Sequence, residues 1–140
     1  MKPEEELEGF DPSKYAEEAE ARWGHTEAYA ESQRRAKGYR EEDWQTIQSQ
    51  VDANVRAFAA LFQSRVPARD PRAMDLAEEH RQHIDRWFYA CSYSAHVGLS
   101  RLYVSDERFA AYYEKHAAGL TQFIADAIAA NAQRYGEGTG

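Results

Sequence analysis

The chain has 140 residues, enough for one domain with a real core, and it is 43% hydrophobic and 29% charged with a net charge of −7. No apolar run approaches the roughly 20 residues that would span a bilayer, and the acidic start, Met1-Lys2-Pro3-Glu4-Glu5-Glu6, lacks the basic and apolar regions of a signal peptide. A cytoplasmic location is therefore expected, and the single cysteine, Cys91, excludes an intramolecular disulfide and a Cys-rich zinc site.

The charge is unevenly placed. Residues 1–20 hold eight acids against two bases, so nearly all of the net charge sits in the leader and the remaining body is close to neutral. That distribution argues against phosphate-backbone binding and against docking to an anionic membrane.

Apolar residues recur at helical spacing and no alternating run reads as a strand, so the fold class expected is all-α. A first helix is predicted from about Ser13 to Trp23, announced by Asp11-Pro12-Ser13 and ended by Gly24. Thr26 is placed to cap a second helix, which runs to about Lys37 and closes at Gly38. The third opens on three acids, Glu41-Glu42-Asp43, which suit the positive end of a helix. Its stripe is Trp44, Ile47, Val51, Val55, Phe58 and Phe62, all on one face, and Pro67 stops it near Arg65.

Asp70-Pro71 pairs an N-cap with proline at the first helical position. From there apolar residues recur through Trp87, Phe88 and Cys91 to Leu102, as one long helix to about Val104 or as two with a bend. Ser105 is expected to cap the next helix, with Phe109, Tyr112 and Tyr113. Gly119 interrupts it, and the last helix, with Leu120, Phe123, Ile124, Ala127 and Ile128, ends near Gly136.

One compositional break divides the chain. Up to residue 46 the only Val, Ile or Leu is Leu7, and the apolar content is aromatic or alanine. Such a segment cannot build its own core against the entropy of ordering it. Residues 1–40 are thus read as an acidic lid segment, weakly ordered in the free protein, 41–135 as the helical core and 136–140 as a flexible tail.

Few residue patterns point to chemistry. Read as lying mid-helix, Cys91 has Trp87 and Phe88 one turn before it and Ser94 and Ala95 one turn after, and no basic residue on its face to lower its pKa. A buried small hydrophobe is the usual fate of such a lone cysteine; the alternative is a thiol at the floor of an aromatic pocket. On the same continuous helix, Tyr89, Tyr93 and His96 share a second face and, with Tyr103, Tyr112 and Tyr113, suggest either a binding wall or a Tyr-rich core. His80 and His83 lie one turn apart beside Glu79, too few ligands for a metal, with His96 more than three turns further along. Nucleotide-binding glycine motifs, the nucleophile elbow and the zinc-protease motif are all absent.

These stretches together resemble the TipAS-type antibiotic-recognition domain, the effector part of MerR-like transcription activators. The resemblance runs from about Phe10 to Arg134. It is carried by Arg22-Trp23-Gly24, Tyr39 to Trp44, Ala73-Met74-Asp75, His80-Arg81 and Tyr89-Ala90-Cys91-Ser92-Tyr93 with His96. Tyr103 to Phe109, Gly119-Leu120 and Ala127 to Ala132 complete it.

The resemblance implies a single globin-like helical domain whose N-terminal helices order over a thiopeptide antibiotic of the thiostrepton kind. It also implies addition of the Cys91 thiol to a dehydroalanine of that ligand, which is capture and not turnover, so a binder is expected and neither an enzyme nor a cofactor. The residues expected to wall the pocket are Trp44, Trp87, Phe88, Tyr89, Tyr93, His96 and Tyr103, with Phe10, Tyr15 and Trp23 on the lid. The family's DNA-binding winged helix and dimerisation coil are not in this sequence, so a monomer that touches neither nucleic acid nor membrane is expected. The competing reading is an interaction module whose N-terminus folds onto a protein partner without a small ligand.

Overall fold

The computed structural model describes residues 26–135. The helix expected over Ser13–Trp23, the lid residues Phe10, Tyr15 and Trp23, and the tail 136–140 lie outside the described residues. Those described form six helices and no strand. They are α1 (Glu27–Ala36), α2 (Glu41–Gln63), α3 (Pro71–Trp87), α4 (Tyr93–Ser105), α5 (Glu107–Glu114) and α6 (Leu120–Arg134).

Local chemistry sets the helix starts. Thr26 Oγ1 accepts from the Tyr29 amide at 3.1 Å and opens α1. Asp70 Oδ1 accepts from the Arg72 amide at 2.9 Å, ahead of Pro71 at the start of α3. The cap of α5 is Asp106 and not Ser105, which is the last residue of α4; the Asp106 carboxylate accepts from the Arg108 amide at 2.9 Å. A carboxylate at the positive end of a helix is a stronger acceptor than a hydroxyl one residue earlier.

The last helix, α6, is the hub. Ten of its fifteen residues are buried, and it packs against α2, α3, α4 and α5. Leu120, Phe123, Ile124, Ala127 and Ile128 meet Val55 and Phe58 of α2, Ala73 and Ala77 of α3, Tyr103 of α4 and Tyr113 of α5 in one core. The α3 residues that join this core, Ala73 and Ala77, are alanines, so α3 approaches α6 there with little side chain between them, while Phe58 and Phe62 fill the space beside Phe123. By contrast α1 has no buried residue. Arg35 fastens it to the body by donating to the Asp85 and Arg86 carbonyls at 2.6 and 3.2 Å.

Candidate functional site

Of the two readings of this region, one continuous helix or two, the structure takes the second, with a break over residues 88–92. It is a loop between α3 and α4, and Cys91 stands in it immediately before the N-cap Ser92. Trp, Phe, Tyr, Cys and Ser are middling to weak helix formers, and side chains from the preceding helix hold the loop open. Asp85 Oδ1 accepts from the Cys91 amide at 2.8 Å, Arg81 Nη1 donates to the Cys91 carbonyl at 2.7 Å, and Ser92 Oγ accepts from the Ala95 amide at 3.0 Å. The face-sharing inferred for Tyr89, Tyr93 and His96 therefore does not apply, since Tyr89 is not on α4.

The separation of His80 from His96 is likewise corrected. With the chain turned back by the loop, the two rings stack at 5.0 Å and His80 Nδ1 meets His96 Nε2 at 2.8 Å. Burial holds His80 down to about 4 and His96 down to about 3, so both are neutral near pH 7. The cheaper tautomer pair has His96 donating to His80, because it leaves the unpartnered His96 Nδ1 a bare lone pair instead of a buried N–H. Among the described residues no three His, Cys, Asp or Glu gather as a metal site.

A cleft of about 920 Å³ opens between α2, α3 and α5, reaching Tyr103 of α4. That volume lies at the upper end for small-molecule pockets. Val51, Ile84, Trp87, Phe88, Phe109 and Tyr112 give it an apolar lining, and Gln48, Gln50, Glu79, Gln82 and Arg86 are among its polar residues. The indole N–H of Trp87 donates to Gln50 Oε1 at 2.9 Å and fixes the ring between α2 and α3. On the opposite side Tyr103, Phe109 and Tyr113 pack ring against ring, Tyr103 lying 5.3 Å from each of the others.

Of the residues singled out in sequence, Trp87, Phe88, Tyr103, Tyr112 and Tyr113 line this cleft, as do His80 and His83. His96 sits behind it, against the lining residue His80. Trp44 is 38% exposed, outside the cleft lining, and is linked to its edge through Tyr39, whose ring meets both Trp44 and Trp87 edge-on and whose hydroxyl donates to the Trp87 carbonyl. Tyr93 stacks on Tyr135 at 5.0 Å, with the Arg81 guanidinium 4.3 Å above its ring. Tyr89 is half-buried in the loop, where burial pushes its hydroxyl up to about 12. Cys91 is 1% exposed, and burial pushes its thiol up to about 11 against the pull of Arg81. It is not among the lining residues, yet Cys91 and Tyr89 both lie near enough to Tyr103 to act on it electrostatically.

Sequence reasoning missed Gln50 and Asn54 in the lining, and it weighed His80 and His83 for a metal site and not for a cleft. Gln50 and Asn54 were invisible because their roles come from pairing across helices. Phe109, Tyr112 and Tyr113 did carry a signal, an aromatic triplet on one face of a short helix.

The TipAS antibiotic-recognition domain family matches residues 15–131 of the chain. The chain belongs to that family. The TipAS–nosiheptide complex from a thiopeptide antibiotic multidrug resistance system of Streptomyces lividans has the same fold, with a TM-score of 0.88, 45% identity and 96% of each chain covered. The antibiotic binding domain of a TipA-class multidrug resistance transcriptional regulator is 46% identical with a TM-score of 0.60, covering 66% of this chain and 98% of that one. The HTH-type transcriptional activator TipA of Streptomyces coelicolor is 45% identical over 138 residues, which is 96% of this chain and 54% of that protein. The activator mta of Bacillus subtilis is 30% identical over 114 residues, 81% of this chain and 43% of that one. This TipAS-family chain thus spans about half the length of the curated relatives it matches. Among its described residues no helix is long and apolar enough to cross a membrane.

Proposed function

We propose that the chain is a receptor for large peptidic antibiotics of the thiopeptide kind and that it holds them in the cleft between α2, α3 and α5. The observation that carries this reading is the likeness, at 45% identity and a TM-score of 0.88, to a TipAS domain whose structure holds nosiheptide. The apolar, aromatic lining and the size of the cleft fit such a ligand. The receptor serves as the drug-sensing part of a MerR-like regulator or as its stand-alone form. By itself, with a net charge of −7, it is a monomer that binds neither promoter DNA nor membrane and catalyses no turnover.

Residues 1–40 form a lid in this reading. Its described end is fastened at the cleft edge, through Tyr39 on Trp87 and Arg35 on the Asp85 and Arg86 carbonyls. Trp44 extends that edge, and Phe10, Tyr15 and Trp23 close over the ligand. Tyr89, Tyr93 and His96 support the cleft wall from behind.

Cys91 captures a dehydroalanine of the bound ligand. Its sulfur adds to the β-carbon, the thiol proton ends on the α-carbon, and nothing leaves. Because Cys91 is buried, the loop over residues 88–92 must shift to present it. Proximity within the complex, and not an activated thiol, then drives the addition.

Titration of tryptophan fluorescence with nosiheptide tests the receptor reading, and denatured intact mass with a dehydroalanine-bearing thiopeptide tests the capture. One-to-one saturation and a one-to-one adduct at Cys91 are expected. No saturation would overturn the receptor reading in favour of a protein-interaction module. Saturation with an unchanged mass would remove the covalent step alone.

A further inference from the structure

Three buried side-chain atoms among the described residues lack a hydrogen-bond partner: Asn54 Oδ1, His83 Nε2 and His96 Nδ1. Two of them belong to residues that line the cleft. Asn54 is the sharper case. It is only 5% exposed, in the middle of α2. Its Nδ2 donates to the Leu76 carbonyl at 3.1 Å and to Glu79 Oε1 at 3.4 Å. Two acceptors on one side fix the amide: turned over, its oxygen would face both of them. The atom left without a partner is therefore the oxygen, an acceptor only. A buried acceptor of this kind costs stability in the free protein and gains it back only from a donor.

We infer that Asn54 is a specificity-determining residue of the cleft, and that its Oδ1 accepts a hydrogen bond from a backbone amide N–H of the bound peptidic ligand. The inference rests on the receptor reading above and names what that cleft reads. An apolar wall accepts any oily surface of the right size. A fixed, desolvated acceptor favours ligands that bring an N–H or O–H to it, because only they relieve the penalty that the free protein already carries. His83 supplies a second polar atom in the same lining: its Nε2 is buried without a partner, and burial lowers its pKa.

The test compares nosiheptide binding to the wild-type chain and to N54L by calorimetry, with helicity followed by circular dichroism. Leucine has nearly the shape of asparagine and makes the lining more apolar. Were Asn54 merely part of the wall, N54L would bind as well or better. A loss of affinity of roughly 10-fold or more is expected. Equal or tighter binding by a folded N54L overturns the inference and leaves the receptor reading standing; no binding by the wild type overturns both. If N54L loses its helical signal, the wild-type protein carries the test through the Asn54 side-chain carbonyl ¹³C resonance. It moves downfield on saturation with nosiheptide if Oδ1 gains a donor, and an unmoved resonance overturns the inference.

Discussion

At the scale of single residues, the chemistry turns on which groups are satisfied before a ligand arrives. Glu78 is: burial alone would raise its pKa, but hydrogen bonds from Arg81 and Asn131 outweigh that and hold it down to about 2. The same Arg81 guanidinium that bonds Glu78 at 2.6 Å also reaches the Cys91 carbonyl, so one ion pair joins α3 to α6 and to the cysteine loop. Cys91 itself is held in its thiol form. Its alkylation by iodoacetamide in the free protein is accordingly expected to rise about tenfold per pH unit from pH 7 to 10. A rate that levels off near pH 8.5, the range of an unperturbed cysteine, would show that the thiol is not buried before the ligand binds.

At the scale of the helices, much of the fold was legible from the chain. Thr26, Asp70-Pro71 and the Glu41-Glu42-Asp43 run announced three helix starts, and the stripe of α2 named Ile47, Val55 and Phe58 as core. The break at 88–92 was legible only as the alternative of two helices with a bend, because the apolar period continues through it. Weak helix propensity permits the loop, and the Asp85 and Arg81 side chains hold it. The pairing of His80 with His96 was hidden by the same missing turn.

The start of α6 shows a local device at work. Gly119 has φ of 93°, and a Cβ there would meet Phe62 Cζ at 3.1 Å. Glu114 reaches across to accept from the Gly119 and Thr121 amides at 2.8 and 2.9 Å, which lowers its pKa and caps the helix. Gly119→Ala is therefore expected to destabilise the protein by about 1–3 kcal/mol, read by urea unfolding. An unchanged midpoint would mean that the left-handed conformation is not maintained in solution.

For the molecule as a whole, three buried or half-buried histidines set the acid limit of stability. Burial lowers the folded-state pKa of His80, His83 and His96, so the unfolded chain binds more protons below its own pKa of about 6.5. Their contribution is complete above that pH and is lost as pH falls from about 6.5 toward 4. Glu78, with its depressed pKa, adds a second loss below about 4.5. Thermal unfolding is expected to be level from pH 7 to 8 and to drop steadily below 6.5, by a few kcal/mol at pH 5. A midpoint that holds from pH 7 to 5 would place these rings in contact with water.

The cleft was only partly legible at this scale, since Trp87, Phe88, Tyr103, Tyr112 and Tyr113 could be named from sequence but the α2 side could not. The central claim is that this cleft, between α2, α3 and α5, receives the antibiotic. Titration of the ¹⁵N-labelled chain with nosiheptide, followed by amide and indole N–H resonances, tests it most directly. The account predicts saturable shifts at the Trp87 indole and along Val51, Asn54, His83, Phe109 and Tyr112, with little change at the far face of α6. Shifts confined to other surfaces, or none at saturating ligand, would contradict it.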